Sequence, residues 1–448
     1  MKIQLTDHFD YRRLLRFSLP TIIMIICTSI YCIVDGFFVS NVVGKTAFAS
    51  INLIMPVLIG VGNIGFMFGT GGSAMIAKLM GQKKQEEAQS CFSMLVYMAI
   101  IIGIFVSFIG FIFTRPIAAI FGAKDEMLEY CVTYGHILFC SMPAYILQYM
   151  FQSLFVTAEK PKLALKINIL AGIINILLDA LFIVVFQWGV AGAAIATAFG
   201  EIAGGLIPLI YFARKNSSLL RLTKMKFNGS MFIQACINGS SEMVTNLSSS
   251  IVNMLYNYQL MRLAGNDGIS AYGIIMYINI IFVAVYIGYS LGSSPIVSYN
   301  YGAENHSELK NLFHRSLRIL SSAGIIQFVA AEILAIPLIM IFASYDKALL
   351  DLTVYGFRIY SLSFLVMGFN IWGSSFFTAL NDGTVSATIS FLRTLVFQVI
   401  LLLFLPAVWG LDGIWLSNIA SELSAFTVTA IFLYTKRKKI SICLMEPI

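Results

Sequence analysis

The sequence predicts an all-α integral membrane protein: twelve transmembrane helices in two parallel-repeat six-helix lobes. Three observations carry this. Hydrophobic residues make up 58% of the 448-residue chain and charged residues 11%, against roughly 25% charge in a soluble chain. A soluble protein of this composition would lack the polar surface to cover its core. The apolar residues also gather in runs of about 20, as at 51–67, 94–113 and 396–408 with its flanks. Such runs match a bilayer core of roughly 30 Å at about 1.5 Å rise per residue. Finally, the two halves of the chain align on one another.

Spans are expected near 14–40, 49–78, 89–113, 128–157, 161–186, 190–213, 231–262, 270–298, 312–341, 349–380, 384–408 and 410–435. Each should be helical, because lipid offers no partners to backbone polar groups. The first run is too long for the core of a cleavable signal and should remain as helix 1. The basic residues orient the bundle. One set of regions holds Lys2, Arg12, Arg13 and Arg16; Lys78, Lys83 and Lys84; Lys160, Lys162 and Lys166; Arg214, Lys215, Arg221, Lys224 and Lys226; Lys310, Arg315 and Arg318; and Lys436, Arg437, Lys438 and Lys439. The opposite set holds only Lys45, Arg115, Lys124, Arg262, Lys347 and Arg358. The alternation predicts both termini on the cytoplasmic face of the cell membrane. The net charge of +7 therefore reads as topology, with the lipid bilayer as partner and no nucleic acid.

The internal repeat runs at an offset of 221 residues. It pairs Gly71 with Gly292, Gly81 with Gly302, Pro116 with Pro337, Tyr134-Gly135 with Tyr355-Gly356, Trp188-Gly189 with Trp409-Gly410 and Glu201 with Glu422. Six spans per half make the halves parallel repeats about an axis along the membrane normal. An N-lobe at 1–220 (helices 1–6) and a C-lobe at 221–448 (helices 7–12) follow, joined by the basic loop near 213–230. Two such lobes suit alternating access around a central site.

Ionisable residues at membrane depth are costly and mark functional positions. Asp35 lies roughly 31 Å into helix 1, and Asp179 roughly 27 Å into helix 5. Asn175 shares the face of Asp179, one turn earlier. Two nearby carboxylates in a low-dielectric pocket cannot both ionise cheaply, so the pair is expected to hold and release a proton or Na⁺. Gln152, Ser153 and Thr197 are candidates to complete an oxygen-rich site for the coupling ion or substrate. Glu201, Glu242 and Glu422 are additional candidates; Glu332 and Arg393 are weaker ones, with Arg393 expected to snorkel or to pair locally. No metal site is expected beyond possible Na⁺ at Asp35, Asn175 and Asp179. The seven cysteines, Cys27, Cys32, Cys91, Cys131, Cys140, Cys236 and Cys443, show no ligand spacing and read as reduced. Gly69-Thr70-Gly71-Gly72-Ser73 lacks the context of a phosphate loop and reads as close helix packing. His8, His136, His306 and His314 are dispersed, so no enzyme activity and no cofactor are expected. Some of the Met, Phe and Tyr residues should face a cleft and bind flat lipophilic cations.

Several segments resemble the multidrug and toxin extrusion (MATE) transporters, in their DinF-like prokaryotic branch. They are Val34-Asp35-Gly36-Phe37-Phe38-Val39-Ser40, Gly71-Gly72-Ser73-Ala74, the stretch from Asn175 to Asp179, Gly192-Ala193-Ala194-Ile195-Ala196-Thr197, Gly239-Ser240-Ser241-Glu242 and the stretch from Gly292 to Ala303. The resemblance implies a V-shaped twelve-helix exporter that exchanges a cytoplasmic drug for external H⁺ or Na⁺; a monomer is expected. It assigns the N-lobe polar site to Asp35, Asn175, Asp179 and Thr197, and bending of helix 1 to a hinge at Pro20. The helix 4 position often held by Asn aligns with Gln152, and a common Gly before the helix 4–5 lysines is replaced by Glu159. The alternative in the same superfamily is a flippase for a lipid-linked substrate, which would favour Lys and Arg at membrane depth; the chain has few.

Overall fold

The computed structural model describes residues 3–436 except residue 345, and not the side chains of Cys32 and Lys45. Lys2, Arg437, Lys438, Lys439 and Cys443 lie outside the described residues. Six helices fill the first half: α1 Tyr11–Val43, α2 Lys45–Gly81, α3 Gln85–Ile120, α4 Asp125–Thr157, α5 Pro161–Val185 and α6 Gly189–Ala213. The second half holds a continuous helical trace at Gly229–Gly302, then His306–Ala343, a pair Lys347–Ser361 and Phe364–Ala379 bent by 52°, and Gly383–Lys436.

The two longest traces are hairpins. Gly265 (φ 61°) and Gly410 (φ 56°) interrupt them with left-handed backbone that glycine adopts without a Cβ penalty. Tyr256 and Tyr272 stack with ring centroids 4.7 Å apart across the first reversal. In one straight helix those residues would be roughly 24 Å apart along the axis. Across the second, Gln398 Nε2 donates to Asn418 Oδ1 at 3.0 Å. The chain therefore crosses twelve times, with α7 at 229–264, α8 at 266–302, α9 at 306–343, α10 at 347–379, α11 at 383–409 and α12 at 411–436. Several helices outrun their expected spans; α3 begins at Gln85-Glu86-Glu87 and ends past Arg115 and Pro116. Hydropathy registers only the turns inside hydrocarbon, and these charged turns lie beyond it.

The lobes meet about a pseudo-two-fold axis that the repeat makes visible. A Cβ on Gly81 would lie 2.1 Å from the carbonyl oxygen of Tyr299, and one on Gly302 would lie 2.1 Å from that of Lys78. Each contact is the other's partner at the offset of 221. Gly71 against Gly239 and Gly292 against Ser18 form a second such pair. The repeat is not perfectly gap-free: the left-handed residue after α4, Glu159 (φ 58°), has its counterpart after α10 at Asn381 (φ 57°), one residue beyond that offset.

These approaches gather at the end of the bundle that carries residues 3–10. There a short strap crosses between the lobes. Leu5 N donates to Glu159 Oε1 of the N-lobe at 2.9 Å. Phe9 N donates to Glu308 Oε1 of α9 at 2.9 Å, and His8 Nδ1 meets Glu308 Oε2 at 2.6 Å. Leu5 and Phe9 are buried. Toward the other end the approach loosens, and a Cβ on Gly60 would reach only to 4.0 Å from Leu247 Cδ2. The bundle is thus a V with its vertex at the strap end. The linker is attached to the N-lobe: Gln85 Nε2 donates to Leu219 O at 2.6 Å, and Thr223 N donates to Ser93 Oγ at 2.8 Å.

Candidate functional site

Inside the N-lobe, α1, α2, α4, α5 and α6 enclose a cavity of about 120 Å³. Its wall carries Asp35, Asn175, Thr197 and Glu201 together with Tyr31, Met55, Met142, Tyr145, Gln148 and Tyr149. Small residues allow this density of large ones. A Cβ on Gly62 would overlap the Tyr145 ring, and one on Gly204 the Gln148 amide.

Asp179 is fully buried behind the wall, and its carboxyl lies against that of Asp35. Neither oxygen of Asp179, nor Oδ1 of Asp35, has a hydrogen-bond donor among the described residues. Two carboxylates carry no donor hydrogen between them. Their contact becomes a bond only when one carries a proton, or when a cation sits between them. Asn175 Nδ2 approaches Thr197 Oγ1 at 3.5 Å, which leaves Asn175 Oδ1 buried without a donor as well. Tyr134, also buried, sits beside Thr197 within electrostatic reach of Asp35, Asp179 and Glu201. Glu201 Oε2 accepts from Ser141 Oγ at 2.5 Å.

The backbone is irregular at both aspartates. A π-helical segment, Val39–Val43, begins one turn after Asp35, and another, Ala180–Val185, begins directly after Asp179. Single π turns inside α-helices concentrate at functional sites. Pro20 lies buried nine residues inside α1, past the first turn where proline is harmless, and the helix continues through it.

Gln152 and Ser153 are buried but do not line this cavity. Gln152 faces a small space between α4, α5 and α6 shared with Asn168, and Ser153 packs at Gly69. Gln148 takes the wall position instead, one turn earlier on the same face of α4. The helical face was readable; the turn that reaches the cavity was not. Tyr31 in α1 gave no sequence signal, and Tyr145 and Tyr149 none beyond their i, i+4 spacing in α4, because aromatic residues are everywhere in this chain.

The C-lobe counterpart is built differently. Arg393, in a π segment of α11, donates through Nε to both oxygens of Glu422 at 2.9 and 3.0 Å. Asn370 Nδ2 donates to Glu422 Oε2 at 2.7 Å. Half-buried Glu242 lies within electrostatic reach of Arg393. Arg393 thus pairs inside the lobe and does not snorkel. Where the N-lobe has Asp35 and Thr197, the repeat places Tyr256 and Asn418, joined through Gln398 by hydrogen bonds of 3.1 and 3.0 Å. Glu332 lies apart, hydrogen-bonded by Ser361 and paired with Arg358 at 3.5 Å. Cys27, Cys91, Cys131, Cys140 and Cys236 are free thiols.

The family model described as MatE matches residues 20–181 and 242–404 of the chain. The chain is 25% identical over 436 residues to the multidrug export protein MepA of Staphylococcus aureus (strain MRSA252), covering 96% of this chain and 95% of that protein. Its fold superposes with a TM-score of 0.92 on a structure described as an outward-facing multidrug resistance MATE family transporter of the MOP superfamily, at 20% identity with 98% of each chain covered. A MOP superfamily transporter from Pyrococcus furiosus, described as having a binding pocket of reverse polarity, superposes with a TM-score of 0.90 at 20% identity over 97% of each chain.

Proposed function

The chain belongs to the MatE family of membrane transporters, which are not enzymes, and on that premise we propose that it is a secondary active multidrug exporter exchanging lipophilic organic cations for H⁺ or Na⁺. The observation that carries this reading is the charge of the N-lobe cavity. Asp35 and Glu201 stand on its wall and Asp179 directly behind, while no Lys or Arg lines it. In a low-dielectric enclosure such a group attracts cations and excludes anions. Three tyrosines and two methionines on the same wall offer π-faces and polarisable sulfur to flat cations. The Asp35–Asp179 contact supports a coupling ion, since it is satisfied by one proton or one small cation. The likeness to MepA, which is named a multidrug export protein, points the same way. A flippase for a polyanionic headgroup would bring its phosphates against three carboxylates, and is disfavoured for that reason.

In this reading the protein sits in the cell membrane with its strap end and both termini in the cytoplasm, as its basic loops direct. The lobes, 1–220 and 221–448, rock about the strap end as a monomer, without a bound cofactor. The experiment is transport in proteoliposomes under an imposed pH or Na⁺ gradient. A fluorescent lipophilic cation should move against the gradient of the coupling ion, and an anion of matched hydrophobicity should not. Equal movement of both, or movement that needs neither gradient, would overturn the proposal.

A further inference from the structure

A second cavity, of about 500 Å³, opens at the strap end of the N-lobe between α1, α5 and the end of α6. It is lined by Arg16, Lys160, Lys162 and Lys166 over an apolar floor that includes Phe17 and Pro20. Arg16, Lys162 and Lys166 are exposed, and no carboxylate lies within ion-pair distance of them among the described residues. Glu159 is the one acid on the lining, and its Oε1 is turned to the Leu5 backbone N–H. Lys160 Nζ donates to Ser217 Oγ at 2.9 Å, which fixes one ammonium at the rim.

Positive loops at this end of a membrane protein are ordinary. What sets this group apart is its convergence on one cavity and the surface that continues from it. Along α5 the face of Lys162 and Lys166 runs on through Leu170 and Ile173, which are 44% and 48% exposed. Along α1 the face of Arg16 and Pro20 runs on to Ile23, 38% exposed. α1 and α5 are packed neighbours, so two apolar tracks descend side by side from one basic chamber. A basic head site above an apolar groove is the shape of an anionic amphiphile.

We propose that this cavity binds the phosphate headgroup of an anionic phospholipid, whose acyl chains lie along the α1–α5 groove. The headgroup phosphodiester meets Arg16, Lys162 and Lys166, with Arg16 offering a bidentate fork. The site is distinct from the acidic cavity and does not depend on what that cavity transports. The lipid is a resident ligand, held at the foot of the helix that carries Asp35.

The test uses the full-length protein and three probes, phosphatidylglycerol, phosphatidylethanolamine and inorganic phosphate. Native mass spectrometry from mixed micelles compares wild type with the triple variant Arg16→Gln, Lys162→Gln, Lys166→Gln. Each basic residue near an anionic headgroup contributes about 1 kcal/mol, or about fivefold in affinity. Wild type should therefore retain one phosphatidylglycerol at least about tenfold more strongly than the variant, with no such difference for phosphatidylethanolamine. A control variant neutralising Arg12, Arg13 and Lys310, which do not line the cavity, should keep the lipid. Equal retention by wild type and triple variant, or equal loss in the control, would overturn the proposal. Stabilisation by inorganic phosphate at the same concentration as by the lipid would assign the site to a free anion and overturn the lipid assignment. A thermal unfolding scan of the triple variant without lipid shows whether it is folded; if it is not, the single variant Lys166→Gln replaces it, with an expected loss of about fivefold.

Discussion

Asp35 and Glu422 are both acids inside a membrane bundle, yet they stand opposite different groups. Glu422 meets a guanidinium; Asp35 meets another carboxyl. Removing Arg393 leaves Glu422 charged, buried and without its cation. Losing one member of a buried pair typically costs about 3–5 kcal/mol. Arg393→Gln should therefore lower the apparent melting temperature in detergent sharply, and a further Glu422→Gln change should restore much of it. At Asp35 the expectation reverses. Asp35→Asn supplies an amide donor to Asp179, so the fold should hold or gain stability while coupling is lost. A destabilised Asp35→Asn protein would contradict the arrangement. At this scale the sequence exposed the chemistry unevenly. Asp35, Asn175, Asp179 and Thr197 stood out because charge and amide groups are rare at membrane depth. Tyr134, Gln148 and Ser141 did not, since their importance lies only in which helix faces them.

Among elements, the strap and the turn after α4 explain each other. Glu159 holds left-handed backbone (φ 58°), at a cost of about 1 kcal/mol or more. Its carboxylate is spent on the backbone of Leu5, as that of Glu308 is on Phe9. One acid from each lobe thus grips the same short segment, from Leu5 to Phe9. Glu308→Ala should loosen the closed vertex. Spin labels at Gln82→Cys and Ala303→Cys, two exposed repeat-related positions beside the Gly81 contact, should then show a broader and longer distance distribution than in the parent double variant. An unchanged distribution would show that the glycine contacts alone hold the vertex. Sequence reading located Glu159 as a departure without a reason, because its partner lies 154 residues away. It likewise placed twelve spans from hydropathy, but not the single-residue reversals at Gly265 and Gly410, which need only one positive φ.

For the whole molecule, the repeat is what sequence made most legible. The pairing of Gly81 with Gly302 and Gly71 with Gly292 was legible as a repeat, but that these glycines meet the opposite lobe, where close backbone approach leaves room for nothing larger, shows only in the packed structure. The difference between the lobes was less visible. The repeat aligns Gly172 with Arg393 and Asp35 with Tyr256, and only the packed structure shows that these exchanges leave one lobe acidic and the other internally neutralised. If the lobes must part at the vertex for export, oxidising Gln82→Cys with Ala303→Cys to a disulfide should abolish transport, and reduction should restore it. Cation binding to the N-lobe cavity should survive the cross-link. Transport that persists when cross-linking is complete would rule out opening at this end.

The central claim is that one acidic cavity serves both the organic cation and the coupling ion in competition. Equilibrium binding of tetraphenylphosphonium to purified protein, titrated against H⁺ and against Na⁺, tests it most directly. Wild type should lose affinity as one of the two ions rises, and Asp35→Asn and Asp179→Asn should each abolish that dependence. An affinity indifferent to both ions in wild type, or an unchanged dependence in both variants, would contradict it.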